Sequence, residues 1–291
     1  LLGVLVVNHF LNNGKFGELH KMFLNSAKKL DIDLRIHTNL EYNRSFWGKK
    51  QDIHEPDFVL FWDKDLLLAK SLENMRIPVY NCSESIMNCD DKGRTFICLR
   101  DKHIKTPKTI VAPMTYDNIG YNDIVSIGKM VRESGITYPL IVKESQGSFG
   151  EQVYLINDEM SLEKKIAEIS PKPFVVQEFI ANSLGRDIRL QVVGDRVVAS
   201  MLRISENDFR ANITAGGKMQ AYDPDEEARK LAVAACKATG CLFAGVDLLF
   251  AEEGYTVCEV NSNAHFKNLY DCTGVDVSLL ILEEILRRIG K

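Results

Sequence analysis

Apolar and polar positions follow two periods along this chain, about 3.6 residues in some stretches and two in others, and each period names an element. Leu2–Val7 is a continuous apolar run with polar residues directly behind it, and it reads as a buried strand rather than a signal-peptide core. Asn12-Asn13-Gly14 marks a loop. From Lys15 to Leu30 the apolar residues Phe16, Leu19, Met22, Phe23, Ala27 and Leu30 recur at helical spacing. Phe58–Trp62 predicts a second buried strand, and Val79–Tyr80 begins a third after Pro78. Strand–helix–strand order implies a parallel sheet with helical crossovers. The spacing then predicts one helix over Glu84–Asp101, carrying Asp91-Lys92.

A second pattern starts after Thr106-Pro107. Strands are expected at Lys108–Ala112, Pro139–Lys143, Gln152–Ile156 and Phe174–Ile180, with helices at Ile124–Ser134 and Ser161–Ile169. From Asp187 the texture changes to longer strands with hairpin turns. Asp187–Val193 and Arg196–Ser205 flank the turn pair Gly194-Asp195, and Phe243–Phe250 and Tyr255–Val260 flank Glu252-Glu253-Gly254. Glu226–Thr239 is an Ala-rich helix stopped by Gly240, and Val277–Ile289 is a closing amphipathic helix. The expected fold class is α/β and α+β, in three units: 1–91, 92–180 and 181–291. No internal repeat is evident.

Composition narrows the function classes. The chain has 291 residues, 45% hydrophobic and 26% charged, with net charge −4. That balance offers no basic field for nucleic acid or an anionic membrane, so an anionic ligand needs a local cluster. No apolar run reaches membrane-span length. The seven cysteines are odd in number and contain no C-x-x-C pair, which points to a reduced, cytoplasmic protein.

The strongest chemical signal is Asp247 with Glu259-Val260-Asn261. Residues two apart on a strand face the same way, so Glu259 and Asn261 project together. The hairpin brings Asp247 opposite Glu259, within about one residue of register. Three oxygen donors inside apolar strands call for compensation, and a hard divalent cation such as Mg²⁺ supplies it. The same acids also fit a solvated hairpin end.

Three weaker signals accompany it. Lys143 ends a strand and leads into Glu144-Ser145-Gln146-Gly147-Ser148-Phe149-Gly150. A Gly-rich turn lets backbone N–H groups approach phosphate, although an ordinary hairpin turn reads the same way. Val175–Ile180 is an apolar strand with Glu178 near its end; it fits either an adenine-binding edge or an edge strand with one solvated acid. Asp187, Arg189 and Gln191 share a strand face, Arg203 lies on the partner strand, and Arg210 and Asn212 follow in a loop. Arginines grip carboxylate and phosphate bidentately, but alternating charges also make a salt-bridged polar sheet face.

These pieces occur in the order of a known family. The chain resembles the RimK-like ATP-grasp ligases. The resemblance rests on Asn81…Asp91-Lys92, Lys143 with its Gly loop, Val176–Ile180, Asp187-Ile188-Arg189, Val193-Gly194-Asp195, Asp208–Asn212, Gly216-Gly217, Ala244-Gly245-Val246-Asp247 and Glu259-Val260-Asn261. It implies an ATP-grasp fold behind an N-terminal parallel-sheet (pre-ATP-grasp) domain. It implies that Lys92 and Lys143 contact ATP, that Gln177, Glu178, Phe179 and Ile180 form the adenine edge, and that Asp187 lies near the ribose. Arg210, Ala211 and Asn212 would line the nucleotide site. Asp247, Glu259 and Asn261 would hold magnesium, two ions, with Mn²⁺ as a substitute. Arg189 and Arg203 would stabilise the transferring phosphoryl group.

The implied reaction activates a carboxylate with ATP and joins it to an amine, with release of ADP and phosphate; glutamate is a candidate for the added residue. The acceptor is an amino acid, peptide or protein tail, and a homo-oligomer is compatible. A small-molecule kinase and a non-catalytic nucleotide-binding regulator are the rival readings. The chain departs from the family at Asn261-Ser262-Asn263-Ala264-His265-Phe266, where relatives often continue with a small residue and Pro-Gly. That segment is expected to border the acceptor pocket, and the N-terminal domain, with Asp63-Lys64-Asp65 after a buried strand, is expected to border the substrate site. His265 is a candidate for handling the amine's proton, and fits a hydrogen-bonded structural histidine better.

Overall fold

The structure, a computed structural model, describes residues 1–11, 14–47, 55–147, 150–211 and 217–291. Asn12, Asn13, Ser148, Phe149, Asn212 and Gly216 of the expectations above lie outside the described residues.

The first sheet is parallel. Its strands are β1 (Leu2–Val7), β2 (Asp33–Thr38), β3 (Phe58–Trp62) and β4 (Val79–Tyr80), in the order β2-β1-β3-β4. Helices α1 (Gly14–Lys29), α2 (Asn39–Trp47) and α3 (Leu66–Asn74) are the crossovers, followed by α4 (Ser83–Asp90). The run at 79–80 is thus the fourth strand, not the third. The sequence pattern missed β2 because Leu34 is its one buried residue.

The single helix expected over 84–101 is two helices, α4 and α5 (Lys92–Asp101). Asp91 between them is extended, at φ −114° and ψ 117°, and its carboxylate accepts the Arg94 N–H at 3.0 Å. The side chain thereby satisfies one of the helix's orphan donors and starts a new helix. Lys92 becomes the first residue of that helix.

The second sheet, antiparallel, orders β5 (Thr109–Val111), β8 (Phe174–Glu178), β6 (Leu140–Glu144) and β7 (Val153–Ile156), and is covered by α6 (Ile124–Glu133) and α7 (Glu159–Ile169). Strand β8 stops at Glu178, two residues short of expectation. The core here is its own: Ile127, Val131, Leu140, Val142, Leu162, Ile166, Phe174 and Val176 pack together.

The third sheet, antiparallel, orders β11 (Lys218–Ala221), β10 (Arg196–Ile204), β9 (Arg186–Val193), β12 (Phe243–Phe250) and β13 (Tyr255–Asn261). One face buries Ile188, Leu190, Val192, Val246 and Leu248 against the alanines of α8 (Glu226–Ala238). Along part of the opposite face, Val193, Met201 and Phe243 join a core that also contains Leu5, Phe23, Leu60 and Trp62 of the first sheet's layer. Trp62 stacks on Phe243 at 5.8 Å, and α9 (Lys267–Thr273) and α10 (Val277–Arg288) add Leu269 and Ile281. Two sheets therefore share one core. Neither β11 nor α9 was expected from the pattern.

Asn81 staples that junction. It is 1% exposed, accepts the Leu242 N–H at 2.8 Å, and donates to the carbonyls of Phe243 and Ser262 at 2.9 Å each. No helix among the described residues is long and apolar enough to cross a membrane.

Candidate active site

Alternation on the third sheet builds the floor of a cleft. Asp187, Arg189 and Gln191 occupy every second position of β9, so they share the face opposite α8. Cross-strand register sets Arg203 beside Asp187, Asp247 beside Arg189, and Glu259 beside Asp247; Asn261 pairs with Gly245. The expected convergence of Asp247, Glu259 and Asn261 is the observed register. A bulge after Asp247 leaves Cys258 as the extra residue and turns its thiol toward Lys143, 3.6 Å from Nζ.

Four of these charges interlock. Arg203 donates from Nε and Nη2 to Asp187 at 2.6 and 2.7 Å, and Nη2 lies 3.0 Å from Asp247 Oδ2. Arg189 grips Asp247 bidentately, with Nη2 at 2.7 Å from Oδ2. Burial alone would raise the Asp247 carboxyl, but the two guanidiniums outweigh it and hold it below the usual carboxylate range. Burial would likewise lower Arg203, and the facing carboxylates keep it firmly charged. Gly245 makes the close packing possible: a Cβ there would lie 2.5 Å from Ala264 Cβ and 3.1 Å from Arg189 Nη1.

The other metal candidates are uncommitted. Glu259 makes no hydrogen bond or ion pair among the described residues, and the buried Nδ2 of Asn261 has no partner. The uncommitted Glu259 carboxylate fits Mg²⁺ chemistry, whereas the orphaned Asn261 atom is an N–H donor and Asp247 is held by the two arginines. Only two of the three residues are acids, and no group of three His, Cys, Asp or Glu side chains suited to a metal occurs among the described residues.

The opposite wall comes from the second sheet. Lys143, on β6, is buried and points its ammonium at the floor, with Cys258 as neighbour. Gln177 is buried and donates to Thr109 Oγ1 at 2.9 Å, while Glu178 accepts the Lys108 N–H at 3.2 Å. The ladder ends there, and Phe179 and Ile180 continue along the rim. Lys92 reaches the Gly loop: its backbone N–H donates to Ser145 at 2.9 Å and its Nζ lies 3.4 Å from the Gly147 carbonyl. Burial pushes its pKa down, against the attraction of Glu259. Arg210 bridges the Gly150 carbonyl and the Asp208 carboxylate, and Ala211 is buried beside it.

The walls enclose about 300 Å³. Every sequence-derived candidate inside the described residues lines it: Lys92, Lys143, Gln177, Glu178, Phe179, Ile180, Asp187, Arg189, Arg203, Arg210, Ala211, Asp247, Glu259 and Asn261. Asn212 lies outside the described residues. His265 also lines the cleft and meets Phe16 edge-on at 6.2 Å. Lys64 lines it too, from the Asp63-Lys64-Asp65 segment expected at the substrate site, and so do Gln152, Cys258 and Asn268, which were not singled out as site residues. Cys258 gave no signal because the bulge that exposes it is a property of pairing. The signal for Lys64 was its place directly after the buried strand β3.

Comparison with known proteins agrees with this geometry. The model of a RimK-like ATP-grasp domain matches residues 89–285. An uncharacterised protein of Mycoplasma genitalium is 30% identical over 267 residues, covering 89% of this chain and 91% of the relative. The tetrahydromethanopterin:alpha-L-glutamate ligase of Methanocaldococcus jannaschii is 30% identical over 285 residues, 91% of this chain and 93% of that protein. Among solved structures, a RimK-domain ATP-grasp protein from Sphaerobacter thermophilus superposes with a TM-score of 0.73 at 18% identity, over 98% of this chain and 99% of its own. The last is a likeness of fold.

Proposed function

This chain belongs to the RimK-like ATP-grasp family, and from that premise we propose that it is an ATP-dependent carboxylate–amine ligase. The observation that carries the reading is the interlocked floor of Asp187, Arg189, Arg203 and Asp247 facing Lys143 across one cleft. Such a cleft holds a polyphosphate between fixed charges of both signs, which is what phosphoryl transfer requires.

A carboxylate oxygen of the substrate attacks the γ-phosphorus, and the bond to ADP breaks. The acyl phosphate then loses phosphate as an amine nitrogen attacks its carbonyl carbon and sheds a proton. Lys143 and Lys92 bind the phosphates, and the 177–180 segment receives adenine. Asp187 holds Arg203 in place, so the guanidinium meets the transferring phosphoryl group without reorganisation. Mg²⁺, bound by Asp247, Glu259 and Asn261, would neutralise phosphate charge; we expect two ions, with Mn²⁺ able to replace them. Arg210 ties the Gly loop down and keeps water from the acyl phosphate.

The methanogen relative is a glutamate ligase, so glutamate is the first amine to try. The test is incubation of the purified chain with ATP, Mg²⁺ and amino acid mixtures. ADP together with an amide supports the proposal. A phosphorylated small molecule without amide makes it a kinase, and binding without ADP makes it a regulator.

A further inference from the structure

The first sheet reverses its strand order once, between β1 and β3. Open parallel sheets bind ligands outside the carboxyl ends of the strands at such a point. Here the chain places Asn8 after β1 and Asp63 after β3. Asp63 is 6% exposed, and its Oδ1 accepts from Asn8 Nδ2 at 3.0 Å and from the Lys64 N–H at 2.8 Å. Its Oδ2 is buried and accepts nothing. Asn263 donates from Nδ2 to the Asp63 carbonyl at 3.0 Å, and its own Oδ1 is likewise buried without a partner. Asn263 and Lys64 both line the nucleotide cleft.

Two unmet acceptors thus sit on residues bonded to each other: Asn263 lines the cleft, and Asp63 adjoins it through the lining residue Lys64. Each unmet acceptor has given up its hydrogen bonds to water without replacement. The neighbouring ammonium of Lys64 is already paired with Asp90. Acceptors without donors call for a ligand that donates. Of the groups the reaction brings together, ionised carboxylate and phosphate only accept; the amine donates.

We propose that Asp63 and Asn263 form the subsite for the acceptor amine, and that the acceptor presents it as the α-amino group of an amino acid, whose N–H bonds point at the two acceptors and leave its lone pair for attack. The segment Asn261–Phe266 then supplies half of the subsite, and the first sheet supplies the other half. This assignment rests on the ligase reading.

Asp63→Asn is the sharpest test. It keeps Oδ1 and both bonds that Oδ1 accepts, and turns the unmet acceptor into a donor. Amide formation is measured against amino acid concentration, and hydroxylamine is used in parallel to capture acyl phosphate as hydroxamate. The expected result is a rise in the KM for the amino acid of about ten- to hundredfold, or roughly 1.4–2.8 kcal/mol. That rise exceeds any change in hydroxamate formation or in the KM for ATP by about fivefold or more. Asn263→Leu, which removes the second acceptor, raises the same KM by a smaller factor. An unchanged amino acid KM in both variants overturns the subsite. So does an equal loss of amide and hydroxamate, which marks a structural role. Wild-type chain that yields neither product sinks the ligase reading itself, and that outcome is read before any variant is made.

Discussion

The two sheets that face each other across the cleft carry charge in opposite ways. On the third sheet, Asp187, Arg189, Arg203 and Asp247 are buried and consume one another. On the second, Lys143 is buried and, among the described residues, hydrogen-bonds only to the Cys258 thiol. Their anchoring differs as well. The third sheet shares a core with the first, whereas the second has a core of its own. The loop leading into it is tied to the third by polar links, the Val257 N–H to Lys105 carbonyl at 2.8 Å and Lys105 Nζ to the Glu253 carbonyl at 2.7 Å. A fixed electrostatic floor suits transition-state stabilisation; a separately cored wall with an unspent cation suits gripping a nucleotide. Damage to the floor should therefore appear in kcat, and damage to the wall in the KM for ATP.

The largest effect is expected on the floor. Glu259→Gln should cut ADP formation by about 10²–10³-fold, in line with loss of a group acting on transition-state charge. The melting temperature should stay within about 1 °C, because Glu259 makes no hydrogen bond or ion pair among the described residues. Asp247→Asn should match that loss in kcat and also destabilise the chain, by about 3–5 kcal/mol, because it leaves buried guanidiniums short of a counter-charge. Equal melting temperatures for the two variants would mean that the interlocked charges add nothing to stability.

Lys143→Ala comes next. The KM for ATP should rise about ten- to hundredfold, as expected for loss of a charged contact worth roughly 1.5–3 kcal/mol, with kcat changed far less. A fall confined to kcat would erase the proposed division between floor and wall. The third test addresses the shared core. Asn81→Ala removes the side chain that serves Leu242, Phe243 and Ser262, and should cost about 2–4 kcal/mol, or roughly 4–16 °C in melting temperature. Its effect on the KM for ATP should be small, since the wall is anchored elsewhere.

The same contrast explains what could be read from the sequence. Period-2 alternation on β9 placed Asp187, Arg189 and Gln191 on one face, and the hairpin at 252–254 paired Asp247 with Glu259; both are local facts, and both stand in the register. Long-range features were silent. Asn81 belongs to the motif set, but its partners lie more than 160 positions away. The pairing of each arginine with its carboxylate, the bulge at Cys258 and the meeting of Asp63 with Asn263 likewise depend on tertiary packing. The break at Asp91 had a local cause, an N-cap, but the apolar spacing ran through it.

That break gives the smallest and most discriminating prediction. Asp91 caps α5, whose first residue is Lys92, and the helix packs Leu99 into the core of the third sheet. Loss of the cap in Asp91→Ala should cost about 1 kcal/mol, or roughly 2–4 °C. Lys92 keeps a second attachment, its N–H to the Ser145 carbonyl at 2.9 Å, which does not involve the cap. The KM for ATP should therefore rise by less than about threefold, under roughly 0.7 kcal/mol. A rise as large as that of Lys143→Ala would mean that the start of α5, rather than the strand bearing Lys143, sets the grip of the wall on the nucleotide.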